Sequence, residues 1–424
     1  DKSTILEVKS FPLNLNIKSR LVYTVDDYPF TAIMTHSIIL LPDKPMRPRI
    51  SDVRIGYFPL RKHIYTEKVD ELKKVDYIQR WRIEPKDEDV ERYRNGELVE
   101  PKKPIVWYVD PAIPERWRKY IKLGVEDWQA AFEEIGFKNA IVARDFPVDD
   151  VTFDPDNLKY SCVRYSPSWV ANAMGPSWTD PRTGEIINAS VYLYHNLVKM
   201  VQNWRFIQTG PADANVRKIV FDEETLGECI RYVVSHEIGH CLGFMHNMAA
   251  SSAIPVDSLR SASFTQKYGL ASSVMGGVII NDVATEEDVR NGVCLVNAKP
   301  GPYDELVIKY LYQPIYASSL QEEKETLDSW IREHTGDPYY AYIRNQSRFD
   351  SDPRNSRGSL GDDHLKSFDY MLPNVRKGFE NYYSWFAKED RDFLMRRRVH
   401  SALSERLSGR IYAILSYILS LIHI

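Results

Sequence analysis

The sequence predicts an α+β chain: a short twisted mixed sheet backed by two long helices, preceded by a β-rich segment and followed by a helical region. Three observations carry that prediction. Residues 1–60 hold runs of β-branched residues at strand spacing. From Ile105 to Leu193, strand-like runs alternate with an amphipathic helical stretch, which implies a right-handed βαβ unit with parallel strands. Glu223 to Val234 places Leu226, Ile230, Val233 and Val234 at helical spacing, and that helix runs straight into a cluster of histidines.

Taken in order, Ile17 to Tyr23 and Thr31 to Leu41 read as strands, and Pro42-Asp43-Lys44-Pro45 breaks the second run. Residues 61–104 are highly charged and hold one apolar strand, Tyr77 to Ile83. Lys86 to Lys103 is linker-like, which sets a domain boundary there. Ile105 to Val109 reads as a buried strand. Pro114 to Ile135 reads as a helix with Trp117, Ile121, Val125, Trp128 and Phe132 on one face, ended by Gly136. Ala140 to Ala143 and Ser161 to Tyr165 are the next strands. Asp180 to Gly184 is a turn, Glu185 to Leu193 a further strand, and the histidine helix is expected to follow, with Asp222 as its N-cap. The expected division is 1–100 as a β-rich N-terminal segment (the end of a preceding domain or a pro-segment), 101–300 as the central domain, 301–395 as a helical subdomain and 396–424 as a tail. Ile411 to Ile424 is mostly apolar but short of the roughly 20 residues a membrane-spanning helix needs. The tail reads as non-native to the fold; the competing reading is a terminal helix packed on the body.

Composition narrows the function. A net charge of −4 with both signs interspersed gives no basic footprint for nucleic acid, and 43% hydrophobic residues suits an ordinary globular enzyme. Four cysteines are too few for a disulfide scaffold. The chain begins at Asp1 with no signal peptide and reads as a fragment or a processed product, so the missing signal says nothing about export.

The chemistry concentrates at His236-Glu-Ile-Gly-His-Cys-Leu-Gly-Phe-Met-His246. His236 and His240 sit one above the other on a helix and can reach one ion. Glu237 is turned from ligation but close enough to touch a water on that ion. Gly243 lets the chain turn with φ > 0 and bring back His246 as a third nitrogen. Three protein ligands leave a fourth zinc position open, the arrangement of a catalytic site and not of a closed structural one. Cys241 follows a ligand but points about 100° away, and reads as a small buried apolar residue. Downstream, Ser273-Val-Met275-Gly-Gly resembles the methionine turn of the metzincins, and that resemblance implies that Met275 lies beneath the histidines.

On these motifs residues 105–275 resemble a metzincin catalytic domain. Residues 46–375 more narrowly resemble a family of large exported bacterial zinc-dependent metalloproteases whose domains are otherwise of uncharacterised function. The segments that carry the likeness are Asp52-Val-Arg-Ile-Gly-Tyr-Phe, Arg80-Trp-Arg-Ile-Glu-Pro, Gly136-Phe-Lys-Asn-Ala, Asp180-Pro-Arg-Thr-Gly-Glu, Val256-Asp-Ser-Leu-Arg, Gly301-Pro-Tyr-Asp and Leu360-Gly-Asp-Asp. The family tends to continue its methionine turn as Met-Asp-Tyr; here Gly276 and Gly277 follow, so no tyrosine ligand is expected. The resemblance implies one catalytic zinc, a protein or peptide as partner, and an exported location (periplasmic, outer-surface or secreted). It also implies an endopeptidase mechanism in which Glu237 is general base to a metal-activated water. Two other readings stand beside it: a metallohydrolase acting on a non-peptide amide or peptidoglycan, and a zinc-binding module that does not cleave. In metzincins the substrate lies along an antiparallel edge strand, for which Trp169 to Gly175 is the candidate. An aspartate switch through Asp52 is conceivable against the simpler reading of a turn aspartate paired with an arginine. His195 reads as a hydrogen-bonded structural residue, and Asp362-Asp363-His364 as a helix N-terminus. Residues 301–395 read as helices buttressing the cleft, without chemistry of their own.

Overall fold

The computed structural model describes residues 3–423 apart from 69, 278–279, 298, 345–351, 353, 356–359 and 387; beyond Leu415 it describes only helical backbone. The N-terminal part is an antiparallel sheet of β1 (Thr4–Ser10), β2 (Asn14–Val25) and β3 (Tyr28–Ile39). One anchor ties it to the body: the Lys9 ammonium meets Asp154 and Asp156, while Asn14 donates to the Asp156 carbonyl and accepts from the Leu158 amide. A second antiparallel pair follows, β4 (Pro59–Ile64) and β5 (Lys73–Ile78). The strand expected at Tyr77 to Ile83 therefore lies earlier in the chain. The pair is charged and mostly exposed, so it lacks the apolar run on which strand reading depends.

After a short helix α1 (Val90–Arg94) comes the main sheet. Its strands are β6 (Ile105–Val109), β7 (Ile141–Asp145), β8 (Ser161–Ser166), β9 (Ala173–Met174), β10 (Ser177–Thr179) and β11 (Ile186–Tyr194), in the order β10-β11-β8-β6-β7 with β9 also on β11. β6 runs parallel to β7 and β8, and β8 parallel to β11; β9 and β10 run antiparallel along β11. The helix expected over Pro114 to Ile135 is two, α2 (Glu115–Glu126) and α3 (Gln129–Glu134), broken at Asp127 and Trp128. Trp128 is fully buried there, its indole donating to the Ser235 carbonyl.

A further helix, α4 (Leu197–Thr209), lies between β11 and the histidine helix α5 (Glu223–Cys241), where none was expected. Its N-cap is Asn196, a favourable residue type, but that side chain makes no cap hydrogen bond and donates instead to the Trp169 carbonyl. α5 packs across α2 at close range: a Cβ on Gly124 would lie 2.7 Å from the Arg231 carbonyl oxygen, so only glycine permits this crossing. The chain continues through α6 (Ala262–Tyr268), α7 (Glu286–Arg290), α8 (Pro302–Tyr312), α9 (Leu320–Arg332), α10 (His364–Phe386) and α11 (Leu394–His423). In α11, Val399 and Leu403 are buried and Arg410 meets the buried carboxylate of Asp282 at 2.8 Å. Among the described residues no helix is long and apolar enough to cross a membrane.

Candidate metal centre

Helix α5 starts on Asp222, whose carboxylate accepts from the Thr225 amide, with Glu223 and Glu224 beside the positive end of the helix. Leu226, Ile230, Val234 and Ile238 bury its inner face. His236 and His240 emerge one turn apart. The helix ends after Cys241, and Gly243 turns the chain with φ +100°; a Cβ there would also lie 2.4 Å from the Gln79 carbonyl oxygen. Left-handed backbone and close approach both demand glycine. The returning strand is held on the Asp52–Phe58 segment, with the Phe58 amide donating to the Gly243 carbonyl and the Met245 amide to the Gly56 carbonyl. That segment supports the third histidine from below.

The histidines converge. The Nε2 atoms of His236 and His240 lie 3.1 and 3.2 Å from Nε2 of His246. His236 donates from Nδ1 to the Val274 carbonyl and His240 from Nδ1 to the Phe244 carbonyl, both at 2.9 Å. Carbonyls only accept, so in each neutral ring Nδ1 carries the proton and Nε2 presents a lone pair. Even if His246 carried its proton on Nε2, it could satisfy one of those contacts and not both. A cation at the meeting point resolves the repulsion. Tetrahedral zinc with Zn–N of about 2.0–2.1 Å would set the nitrogens about 3.3–3.4 Å apart, close to what is seen. Three nitrogen donors and no thiolate suit zinc. Among the described residues this trio is the one group of His, Cys, Asp or Glu side chains arranged to hold a metal.

Met275 is fully buried beneath α5: a Cβ on Gly239, between the two helix histidines, would lie 2.4 Å from its sulfur. Its carbonyl accepts from the Asn247 amide, next to His246. The turn is fixed from behind by Asp304 at the start of α8, which accepts from the Ser273 hydroxyl (2.5 Å), the Val274 amide (2.7 Å) and the Gly301 amide (2.9 Å). Val274 thus links Asp304 to His236. Burial pushes the Asp304 carboxyl up to about 7 against those three hydrogen bonds. Sequence reasoning passed over Asp304. Its signal was Gly301-Pro302-Tyr303-Asp304 itself, an N-terminal proline followed by an acid at the capping-box position.

The triad opens into a cleft of about 650 Å³ shared with Glu237, with Met200 and Trp204 of α4 and with Gly277. Burial raises the Glu237 carboxyl to about 7, holds His240 near 4 and keeps His236 well below the usual histidine range. The imidazoles of His236 and His240 are therefore neutral and in ligating form at physiological pH. β9 passes directly over α5, since a Cβ on Gly175 would lie 2.6 Å from the Glu237 carbonyl oxygen. The edge strand is thus shorter than Trp169 to Gly175: Trp169 and Val170 are exposed and outside any strand.

Other sequence candidates lie apart from the cleft. Asp52 is engaged by Arg54 at 2.6 Å and is not among the cleft residues. His195 Nδ1 sits 2.5 Å from the Tyr165 hydroxyl. Asp363 caps α10, accepting from the Leu365 and Lys366 amides. Cys241 is buried beside Ser190.

Residues 218–421 match a family described as Met-zincin, and residues 1–86 match a domain of unknown function. The triad fits a metzincin zinc site. No curated protein and no solved structure matches the chain. The metzincin match begins just before the Asp222 cap and takes in all three histidines, Met275 and Asp304. The family match and the triad together point to a zinc metallopeptidase.

Proposed function

We propose that this chain is a zinc-dependent endopeptidase, with one catalytic zinc held by His236, His240 and His246 and with Glu237 as its general base. The observation that carries this reading is Glu237 itself: a carboxylate only 8% exposed, next in sequence to a ligand, on the wall of an open cleft and raised to about 7 by burial. Zinc bound there supplies Lewis acidity, which acidifies water and polarises a carbonyl. Glu237, beside a ligand and on the cleft wall, takes a proton from water and hands it to the leaving nitrogen. β9 pairs with β11 along one edge, and its other edge offers main-chain groups to an extended peptide without reading its sequence. Met275 and Gly243 hold the ligands in place, and residues 101–300 form the catalytic unit with 301–395 behind it. An exported location is supported by the likeness to exported metalloproteases; finding the native protein in the cytoplasm of fractionated cells would remove that part.

The test is hydrolysis of a quenched-fluorescent peptide library by the purified protein, with zinc and after chelation. Cleavage that disappears on chelation and returns with zinc is expected. A zinc-loaded protein that cleaves no peptide would overturn the reading.

A further inference from the structure

The sequence reading gave the region beyond residue 301 no chemistry, yet it delivers one charged group to the cleft. Arg344 lines the same cavity as the three histidines and Glu237. Among the described residues lining that cavity, Glu237 supplies the one carboxyl and Arg344 the one guanidinium, and Glu237 is buried. Arg344 is exposed, and no described carboxylate forms an ion pair with it.

The backbone that presents Arg344 is fastened to the residues directly after the third histidine. The fully buried Asn247 donates from its side chain to the Ala341 carbonyl at 2.8 Å and accepts from the Ile343 amide at 3.2 Å. The Met248 amide donates to the Ile343 carbonyl at 2.8 Å. Tyr342 stacks on Tyr303 with rings 6.1 Å apart and 6° from parallel, and it covers Gly56, where a Cβ would lie 2.2 Å from its ring. Arg344 is therefore not the end of a loose loop. Its backbone follows directly on a clamp to the residue after His246, so the side chain starts from a fixed point at the cleft wall.

We propose that Arg344 is a specificity-determining residue that selects substrates bearing a carboxylate near the cleaved bond. The inference rests on the peptidase reading above. A guanidinium presents a planar fork of N–H donors that matches a carboxylate with two parallel hydrogen bonds, and inside a cleft lined largely by apolar walls that pairing is less screened than at an open surface. The carboxylate has two sources, an aspartate or glutamate side chain or the end of a peptide chain. Cationic side chains at the same place meet like charge and are disfavoured.

The experiment uses the zinc-loaded chain and matched fluorogenic peptides. One set carries Glu, Gln or Lys at each position from three before to three after the cut. A second set ends in a free acid or an amide at the same distances. The wild type is expected to show kcat/KM about tenfold higher for a carboxylate at one position, mainly through KM and weakening with salt. In Arg344→Gln, the carboxylate peptide and its Gln or amide counterpart become equal. Arg344→Lys keeps part of the preference, and Arg344→Glu reverses it toward Lys. Preference in the first set alone assigns an acidic side chain, and in the second alone a chain end. Equal rates for Glu, Gln and Lys and for acid and amide in the wild type, or a preference that survives in Arg344→Gln, overturns the role of Arg344 while leaving the peptidase standing. No cleavage of any peptide overturns both.

Discussion

Replacing Asp304 should loosen the metal centre without touching a ligand. Its carboxylate accepts three hydrogen bonds in a fully buried place, two on one oxygen from the Val274 and Gly301 amides and one on the other from the Ser273 hydroxyl. Asp304→Ala leaves three buried donors without an acceptor and opens a small cavity. At about 1–3 kcal/mol for each such donor, softened by relaxation, the loss of stability should be about 3–5 kcal/mol. Asp304→Asn is gentler. Its carbonyl oxygen can keep both amide bonds, and its NH₂ can donate to the Ser273 oxygen, so about 1–2 kcal/mol is expected. The sign of the pH effect follows from the raised carboxyl. With a folded value of about 7 against 3.8 in the free chain, the folded state binds the extra proton between those limits. The contribution of Asp304 to stability is thus full below about 4 and is lost as pH rises to about 7, so Asp304→Asn should compare best with the wild type at high pH. The readout specific to the proposed link is zinc. Val274 both donates to Asp304 and accepts from His236, so zinc affinity by competition with a calibrated chelator should fall about 10–100-fold in Asp304→Ala. A folded Asp304→Ala protein that holds zinc as tightly as the wild type would refute the link.

Gly243→Ala forces a Cβ into left-handed backbone and against the Gln79 carbonyl, which should cost about 2 kcal/mol or more in denaturant unfolding and weaken zinc binding through His246; a stability within 0.5 kcal/mol of wild type, on the order of an ordinary surface change, would contradict the turn geometry. Burial holds His240 near 4, so zinc retention should persist on acidification through the ordinary histidine range and fail only nearer 4, whereas release centred on 6.5 by metal analysis would contradict buried neutral ligands. For the zinc-free protein the same depressed value means that stability falls as pH drops from about 6.5 toward 4, because the unfolded chain takes up protons the folded one refuses. Arg410→Ala breaks one of the two arginine contacts to the buried Asp282, and a loss of about 3 kcal/mol is expected by thermal or denaturant unfolding; an unchanged melting temperature would mean that α11 does not pack there.

The metal centre was legible because its parts are close in sequence and each residue type has one physical job. His236, His240, Gly243 and His246 lie on one helix and its exit turn, so local geometry alone brings them together. Met275 was readable only through the resemblance to the metzincin methionine turn, since a methionine before two glycines carries no local geometry that places it. Asp304 and Arg344 were not readable. Each acts through contacts far along the chain, Asp304 through Val274 and Arg344 through a clamp on Asn247; the Gly301-Pro302 start marks Asp304 as a helix-entry residue but does not reveal its bond to Val274. In the fold, β6, β8 and β11 were readable as compact apolar runs. The β4–β5 pair was missed because its residues are charged and only partly buried; α4 was missed although Asn196, a common N-cap residue, precedes it. The long helix over 114–135 kept its apolar face through the break at Asp127 and Trp128, so periodicity alone ran α2 and α3 together.

The most direct test of the central claim compares the wild type with Glu237→Ala at matched zinc content. Zinc bound per chain and hydrolysis of a cleaved peptide would be measured on the same samples. Equal zinc and a loss of at least about 10²–10⁴-fold in kcat are expected. Equal zinc with undiminished hydrolysis would contradict that claim, since the proton transfer assigned to Glu237 would then belong to another group.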